Sequence, residues 1–69
     1  MAKSSVNENR IRLLLVDDHE IVRLGLRTLL SHSEGIEVVG EAASTVDAVT
    51  EAIRLKPDIV LMEIGRAHV

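Results

Sequence analysis

The sequence predicts an α/β fold built on a doubly wound parallel sheet, with elements in the order β-α-β-α-β. Three short runs rich in aliphatic residues read as strands: "IRLLLV", "IEVVGEA" and "DIVLM". The first has no polar alternation from Leu13 to Val16, which is typical of strands covered on both faces. The segments between the runs have helical spacing, and short connections favour right-handed crossovers. If the first strand lies between the other two, the strand order is 2-1-3.

The first helix is predicted from Glu20 to Ser31, directly after the first strand ends at "DDH". Arg23 and Arg27 lie one turn apart on a polar face. His32 lies near the negative end of the helix dipole, where it ends the helix as a dipole partner rather than acting as a base. The apolar positions with helical spacing are Ile21 or Val22, Leu26, Leu29 and Leu30.

The second helix is predicted within "STVDAVTEAIRL", and its two ends carry clear signals. Ser44 and Asp47 have the spacing of a capping box, and the pair Lys56-Pro57 stops the helix. The third strand, "DIVLM", follows at once. Between the ends, Val46, Val49 and Ile53 form an apolar stripe with the small Ala48 and Ala52 beside it.

Composition excludes several classes of protein. The 69 residues include no cysteine and no aromatic residue, so disulfides, thiolate metal sites and base-stacking surfaces are absent. The net charge is -3 without a basic run, which argues against direct nucleic-acid binding. No apolar run approaches the roughly 20 residues that span a bilayer, and residues 1–10 read as a flexible polar arm without a secretory signal. We expect a cytoplasmic chain that does not contact the membrane.

Carboxylates follow two neighbouring strands of the predicted sheet. Asp17 and Asp18 end the first strand and Glu63 ends the third, so all three converge where open α/β sheets bind ligands. Clustered carboxylates repel one another unless a cation offsets the repulsion, so Asp17, Asp18 and Glu63 are predicted metal ligands, and their oxygen atoms favour Mg²⁺. This pattern favours phosphoryl binding or transfer. Acidic pairs after strands are also common in proteins without such a site. In the alternative interpretation, Asp18 only caps the first helix.

Other candidate residues carry weaker signals. His19 is predicted to be an exposed residue of the first helical turn, and one histidine beside carboxylates is a poor zinc set. His68 lies in a tail with no partners. The glycines form no G-x-G-x-x-G loop, and there is no G-x-S-x-G elbow, so neither a dinucleotide site nor a serine hydrolase is indicated.

The segment "IRLLLVDDHEIVRLGLRTLL", followed by "VVGEA" and "PDIVLM", resembles the receiver domain of bacterial two-component response regulators, in particular those of the LuxR/NarL type. The resemblance covers residues 11–64 and implies the N-terminal half of a flavodoxin-like domain. It implies that Asp17 and Asp18 hold Mg²⁺ and that position 63 accepts phosphate from a sensor histidine kinase. Such a protein is a phosphorylated switch rather than a turnover enzyme.

Two departures from that family concern position 63 and the extent of the chain. The family has aspartate where this chain has Glu63, whose extra methylene moves the carboxylate by roughly 1 Å, enough to cost about a hundredfold in an aligned transfer. The fourth and fifth strands, with their Ser or Thr and Lys, do not follow. The DNA-binding output domain does not follow either, so we expect DNA contact only through that absent domain. A receiver dimer is a further partner to consider.

The ending "EIGRAHV" has an unusual property. One codon path for it, GAG ATC GGA AGA GCA CAC GTC, resembles the start of a common sequencing adapter. We therefore expect residues 65–69 to be a non-native tail, and we expect the adapter sequence to begin within the codon for position 63. Aspartate codons also begin with GA, so the natural occupant of that position would be aspartate. The alternatives are a stand-alone degenerate receiver that acts as an interaction module and a small Mg²⁺-dependent phosphatase.

Overall fold

The structure, a computed structural model, describes residues 10–63 and contains a three-stranded sheet with two helices. The strand order is β2-β1-β3 and both strand pairs are parallel, which confirms the predicted fold class and order. The predictions for the arm before Arg10, for residues 65–69 and for His68 lie outside the described residues. The elements are β1 Ile11–Asp17, α1 Glu20–Ser31, β2 Ile36–Ala42, α2 Thr45–Leu55 and β3 Ile59–Glu63.

The core lies between β1 and α2. Leu14 and Val16 of β1 are fully buried and pack with Ala42 of β2 and Ala48 of α2. Gly40 leaves room for this packing, because a Cβ added there would collide with the side chain of Leu55. Small residues on the sheet and on the helix therefore let α2 approach the sheet closely.

The apolar stripe of α2 does not face the sheet. A stripe of this kind is typical of the core-facing side of a helix, yet Val46, Val49 and Ile53 are 75%, 54% and 69% exposed. Ala48 and Ala52 beside the stripe make the contact instead. Leu55 packs against the same core from the last turn of the helix, over Gly40.

Helix α1 covers the opposite face of the sheet and also departs from its predicted orientation. Among residues 10–63 it has no fully buried residue, and Ile21 and Leu29 are largely exposed. The side chain of Arg23, predicted on a polar face, is only 20% exposed because it reaches the ends of β1 and β2. The sheet side of α1 is therefore partly ionic.

A register shift in β2 decides which of its side chains lie beneath α1. Leu13 of β1 pairs with Val38, but Leu14 pairs with Gly40, so Val39 is an extra residue in β2. Because successive side chains of a strand alternate between faces, a slip of one residue moves every later side chain to the other face. After the shift, Glu41 pairs with Leu15 and lies on the α1 side.

The helix ends confirm most of the predicted signals. The Ser44 side chain accepts a hydrogen bond of 3.1 Å from the Asp47 N–H, and Lys56 ends α2 in the left-handed conformation with φ 51°. His32 is the C-cap of α1, and its Nδ1 lies 2.9 Å from the Thr28 carbonyl oxygen. At the start of α1 the N-cap residue is His19, so the alternative in which Asp18 caps this helix is wrong.

Strand β3 forms one border of the described sheet. It pairs with β1 from Leu13–Ile59 to Asp17–Glu63, and within residues 10–63 no strand pairs with its other side. Three of its apolar side chains are consequently exposed: Ile59, Val60 and Met62. Both helices of residues 10–63 are too short and too polar to span a bilayer.

Candidate acidic cation site

The acidic pair lies at the carboxyl end of the central strand. Asp17 is the last residue of β1 and only 2% exposed, whereas the Asp18 side chain is 50% exposed. The aliphatic residues before Asp17 fix this position, because their burial on both faces of the sheet anchors the strand. The pair therefore combines one buried carboxylate with one that solvent reaches.

His19 contributes more to this site than the sequence indicated. It is exposed, as predicted, but its main-chain N–H donates a hydrogen bond of 2.8 Å to Asp17 Oδ1. Its ring Nδ1 lies 2.9 Å from Asp18 Oδ1 and 3.3 Å from Asp17 Oδ1. Among residues 10–63, ligand atoms of Asp17, Asp18 and His19 lie within 4.8 Å of one another. The position of His19 directly after the acidic pair was the only sequence signal for this arrangement.

Glu63 lies at the end of the neighbouring strand. It is the register partner of Asp17 across the β1–β3 pair, so the predicted convergence of the two strand ends is observed at the level of the backbone. Its carboxylate is not a member of the cluster of Asp17, Asp18 and His19. The structure thus brings Asp17 and Asp18 together and places position 63 beside them, while a ligand role for Glu63 stays a prediction.

An ionic network beneath α1 was missed by sequence reasoning. Arg23 Nε lies 3.2 Å from Glu41 Oε1, and Arg27 Nη1 lies 2.7 Å from Glu41 Oε2. Arg23 Nη1 also donates a hydrogen bond of 2.7 Å to the main-chain carbonyl oxygen of Asp17. The sequence shows the two arginines one turn apart but not their shared partner, because the register shift in β2 decides where Glu41 lies.

The donor atoms of this cluster fit a hard divalent cation. Carboxylate oxygens are the ligands that Mg²⁺ prefers, and Mg²⁺ is commonly held by one or two carboxylates while it keeps several waters. Asp17 and Asp18 supply two carboxylates of opposite exposure, so one is fixed by the core and the other faces solvent. The N-terminus of α1 follows directly and carries a positive partial charge, which favours an anionic group in the same crevice.

These features together define a class of protein: an open parallel α/β sheet with an acidic crevice at the carboxyl ends of two adjacent strands. Residues 13–65 match the family model described as the response regulator receiver domain. The match covers most of the chain, and the chain belongs to this family. It is accordingly a receiver segment of two-component signalling.

Curated relatives and a solved structure agree with this assignment. Over 54 residues, 78% of this chain, it is 57% identical to the response regulator protein VraR of Staphylococcus epidermidis. The VraR protein of Staphylococcus aureus is 52% identical over the same length. The chain spans 26% of each of these relatives. A LuxR-family two-component response regulator from an Aurantimonas species has a TM-score of 0.70 and 45% identity, covering 74% of this chain and 36% of that one.

Proposed function

We propose that the chain supplies the cation-binding and phosphoacceptor half of a receiver, which takes a phosphoryl group from a sensor histidine kinase. The observation that carries the proposal is the pairing of buried Asp17 with position 63 at the carboxyl ends of adjacent parallel strands. Asp18 and the start of α1 complete the crevice. In a longer protein, phosphorylation would control transcription through a separate DNA-binding domain; the relatives are named as response regulators, and the solved structure as one of the LuxR family.

The chemistry assigns a separate role to each carboxylate. A carboxylate oxygen at position 63 would attack the phosphorus of a phosphohistidine; a P–O bond forms, and the P–N bond breaks with its electron pair going to the imidazole. Asp17 and Asp18 would hold Mg²⁺, which when bound neutralises charge on the transferred group. Aspartate rather than glutamate is proposed as the productive residue at position 63, because the longer side chain displaces the attacking oxygen by roughly 1 Å.

The test is to restore the aspartate and follow phosphate incorporation. Purified chain is incubated with Mg²⁺ and acetyl phosphate, a small phosphoryl donor, and the mass of the intact protein is measured. We expect no incorporation by the unchanged chain and incorporation of one phosphate by Glu63→Asp. Adding Asp17→Asn to that variant should lower the rate by at least about a hundredfold, the scale of loss expected when an aligned transfer is disrupted.

A matched control comes from Glu37, an exposed glutamate on the edge strand β2. Glu37→Asp makes the same chemical change away from the crevice and should leave the chain unphosphorylated. Incorporation by Glu37→Asp, or none by Glu63→Asp, would contradict the assignment of position 63. The same samples report on the phosphatase alternative, because release of phosphate by the unchanged chain would favour that reading.

The nucleotide sequence tests the proposed identity of position 63 separately. If the codons for residues 63–69 read GAG ATC GGA AGA GCA CAC GTC, the natural residue at position 63 is proposed to be aspartate. Any other codons, or a continuous genomic read through them, would establish Glu63 as the native residue. The receiver would then be a degenerate one, and the interaction module would become the better proposal.

A further inference from the structure

One arginine joins the acidic crevice to the edge strand β2 at the same, carboxyl end of the sheet. Arg23 on α1 donates from Nη1 to the main-chain carbonyl oxygen of Asp17 at 2.7 Å, and its Nε contacts Glu41 Oε1 at 3.2 Å. The Arg23 and Glu41 side chains are 20% and 24% exposed, so solvent screens this contact less than it screens a surface ion pair. A single guanidinium thus connects α1, the end of β1 and the end of β2.

The carbonyl group that Arg23 holds is part of the peptide between Asp17 and Asp18. That peptide is planar, so fixing its carbonyl oxygen also fixes the direction in which the chain leaves Asp17 toward Asp18. The Asp17 carboxylate is held independently by the His19 N–H at 2.8 Å. The two hydrogen bonds together restrain the Asp17 carboxylate and the peptide that leads from it to Asp18.

Arg27 provides an internal comparison. It lies on the same helix and contacts the other oxygen of the same carboxylate, with its Nη1 2.7 Å from Glu41 Oε2. Among the hydrogen bonds of residues 10–63, those of Arg27 do not include Asp17. The two arginines therefore share their charge and their anionic partner but differ in contact with the acidic pair.

We propose that Arg23 is a positioning residue for the divalent cation at Asp17 and Asp18, with Glu41 as its anchor. The inference rests on the cation site of the proposed function. It predicts a change in cation affinity opposite to the one that charge alone would give. By electrostatics alone, removing a positive charge near a cation site should strengthen cation binding. If Arg23 acts by positioning, its removal weakens binding instead.

The experiment measures Mg²⁺ affinity in the 69-residue chain by following backbone amide shifts in NMR titrations. We expect Arg23→Gln to weaken binding about tenfold, the lower end of the range for groups that orient metal ligands. Arg23→Lys keeps the charge but lacks the two-sided guanidinium, so it should recover only part of the affinity. Arg27→Gln removes the same charge and should change the affinity by less than about twofold, because no ligand is reoriented.

A second readout needs no cation. Hydrogen exchange of the His19 amide reports on its bond to Asp17 and should accelerate in Arg23→Gln but not in Arg27→Gln. If the unchanged chain binds no Mg²⁺ while this exchange difference is present, the proposed cation site fails and the positioning contact stands. If Mg²⁺ binds, but Arg23→Gln and Arg27→Gln have the same Mg²⁺ affinity and the same His19 exchange rate, the positioning role fails and the proposed function stands.

Loss of folding is separated from loss of positioning by a second context. If a variant of the 69-residue chain is unfolded, as shown by loss of amide dispersion, a chimera is used instead. In it, residues 10–63 with the same substitution replace the matching segment of the Aurantimonas regulator. The ratio of Mg²⁺ affinities is then measured in that longer protein. Unchanged or tighter binding by Arg23→Gln in the folded chimera would overturn the inference, and weaker binding there supports it.

Discussion

Strands β1 and β3 have similar aliphatic sequences but different surroundings. In β1, Leu14 and Val16 are 0% exposed, because β2 and β3 flank the strand and α2 packs on that face. In β3, Val60 and Met62 are 41% and 46% exposed, since among residues 10–63 the strand has a partner on one side alone. An apolar run therefore predicts a strand, but its neighbours decide how much of it is buried.

The largest expected difference in the free energy of unfolding is between a truncation in β1 and a truncation in β3. Leu14→Ala should cost about 2–5 kcal/mol, because it leaves a cavity in the core. That loss is enough to unfold a domain this small, whose core supplies roughly 3–5 kcal/mol. Val60→Ala should cost less than about 1 kcal/mol, since its side chain is already half in water. Far-UV circular dichroism and urea unfolding measure both; equal losses would contradict the contrast between the strands.

Replacing two glycines by alanine should change the stability by smaller amounts and in opposite directions. Gly40→Ala should destabilise the fold by about 1 kcal/mol, because the added Cβ collides with Leu55 and the side chain must move. Gly25→Ala should stabilise it by about 0.5–1 kcal/mol, since nothing lies within 4 Å of the added Cβ and alanine favours the helix. Urea midpoints of the two variants provide the measurement. Destabilisation by both would show that α1 is packed more tightly than the structure has it.

The smallest effect on folding is expected at the exposed border of the sheet. Met62→Lys should change the free energy of unfolding by no more than about 0.5 kcal/mol, as for other surface substitutions. It should nevertheless reduce self-association, because a lysine on an edge strand opposes pairing with another sheet. Light scattering over a range of concentrations measures this, with Val46→Lys on α2 as the control. A larger reduction by Val46→Lys would place the associating surface on α2 instead.

Much of the candidate site was predictable from the sequence. The buried run before Asp17 and the parallel order of the strands are enough to place position 63 beside the acidic pair, and the structure has this pairing. The participation of His19 was not predictable, because it depends on a ring orientation set by the first turn of α1. The link from Arg23 to Asp17, six residues apart, was missed because it depends on how α1 packs against the ends of β1 and β2.

The sequence by itself determined the order and type of the elements, the parallel sheet and the positions of the acidic residues. Local patterns are sufficient for these features, because apolar runs, capping residues and Lys56-Pro57 act over a few neighbouring positions. The tertiary structure alone decided that Glu41 lies beneath α1 and that Ala48, rather than the apolar stripe of α2, contacts the sheet. It also decided that β1 is buried while β3 is not. These outcomes depend on a one-residue register shift, on how α2 is rotated against the sheet and on the number of neighbouring strands, which no local pattern encodes.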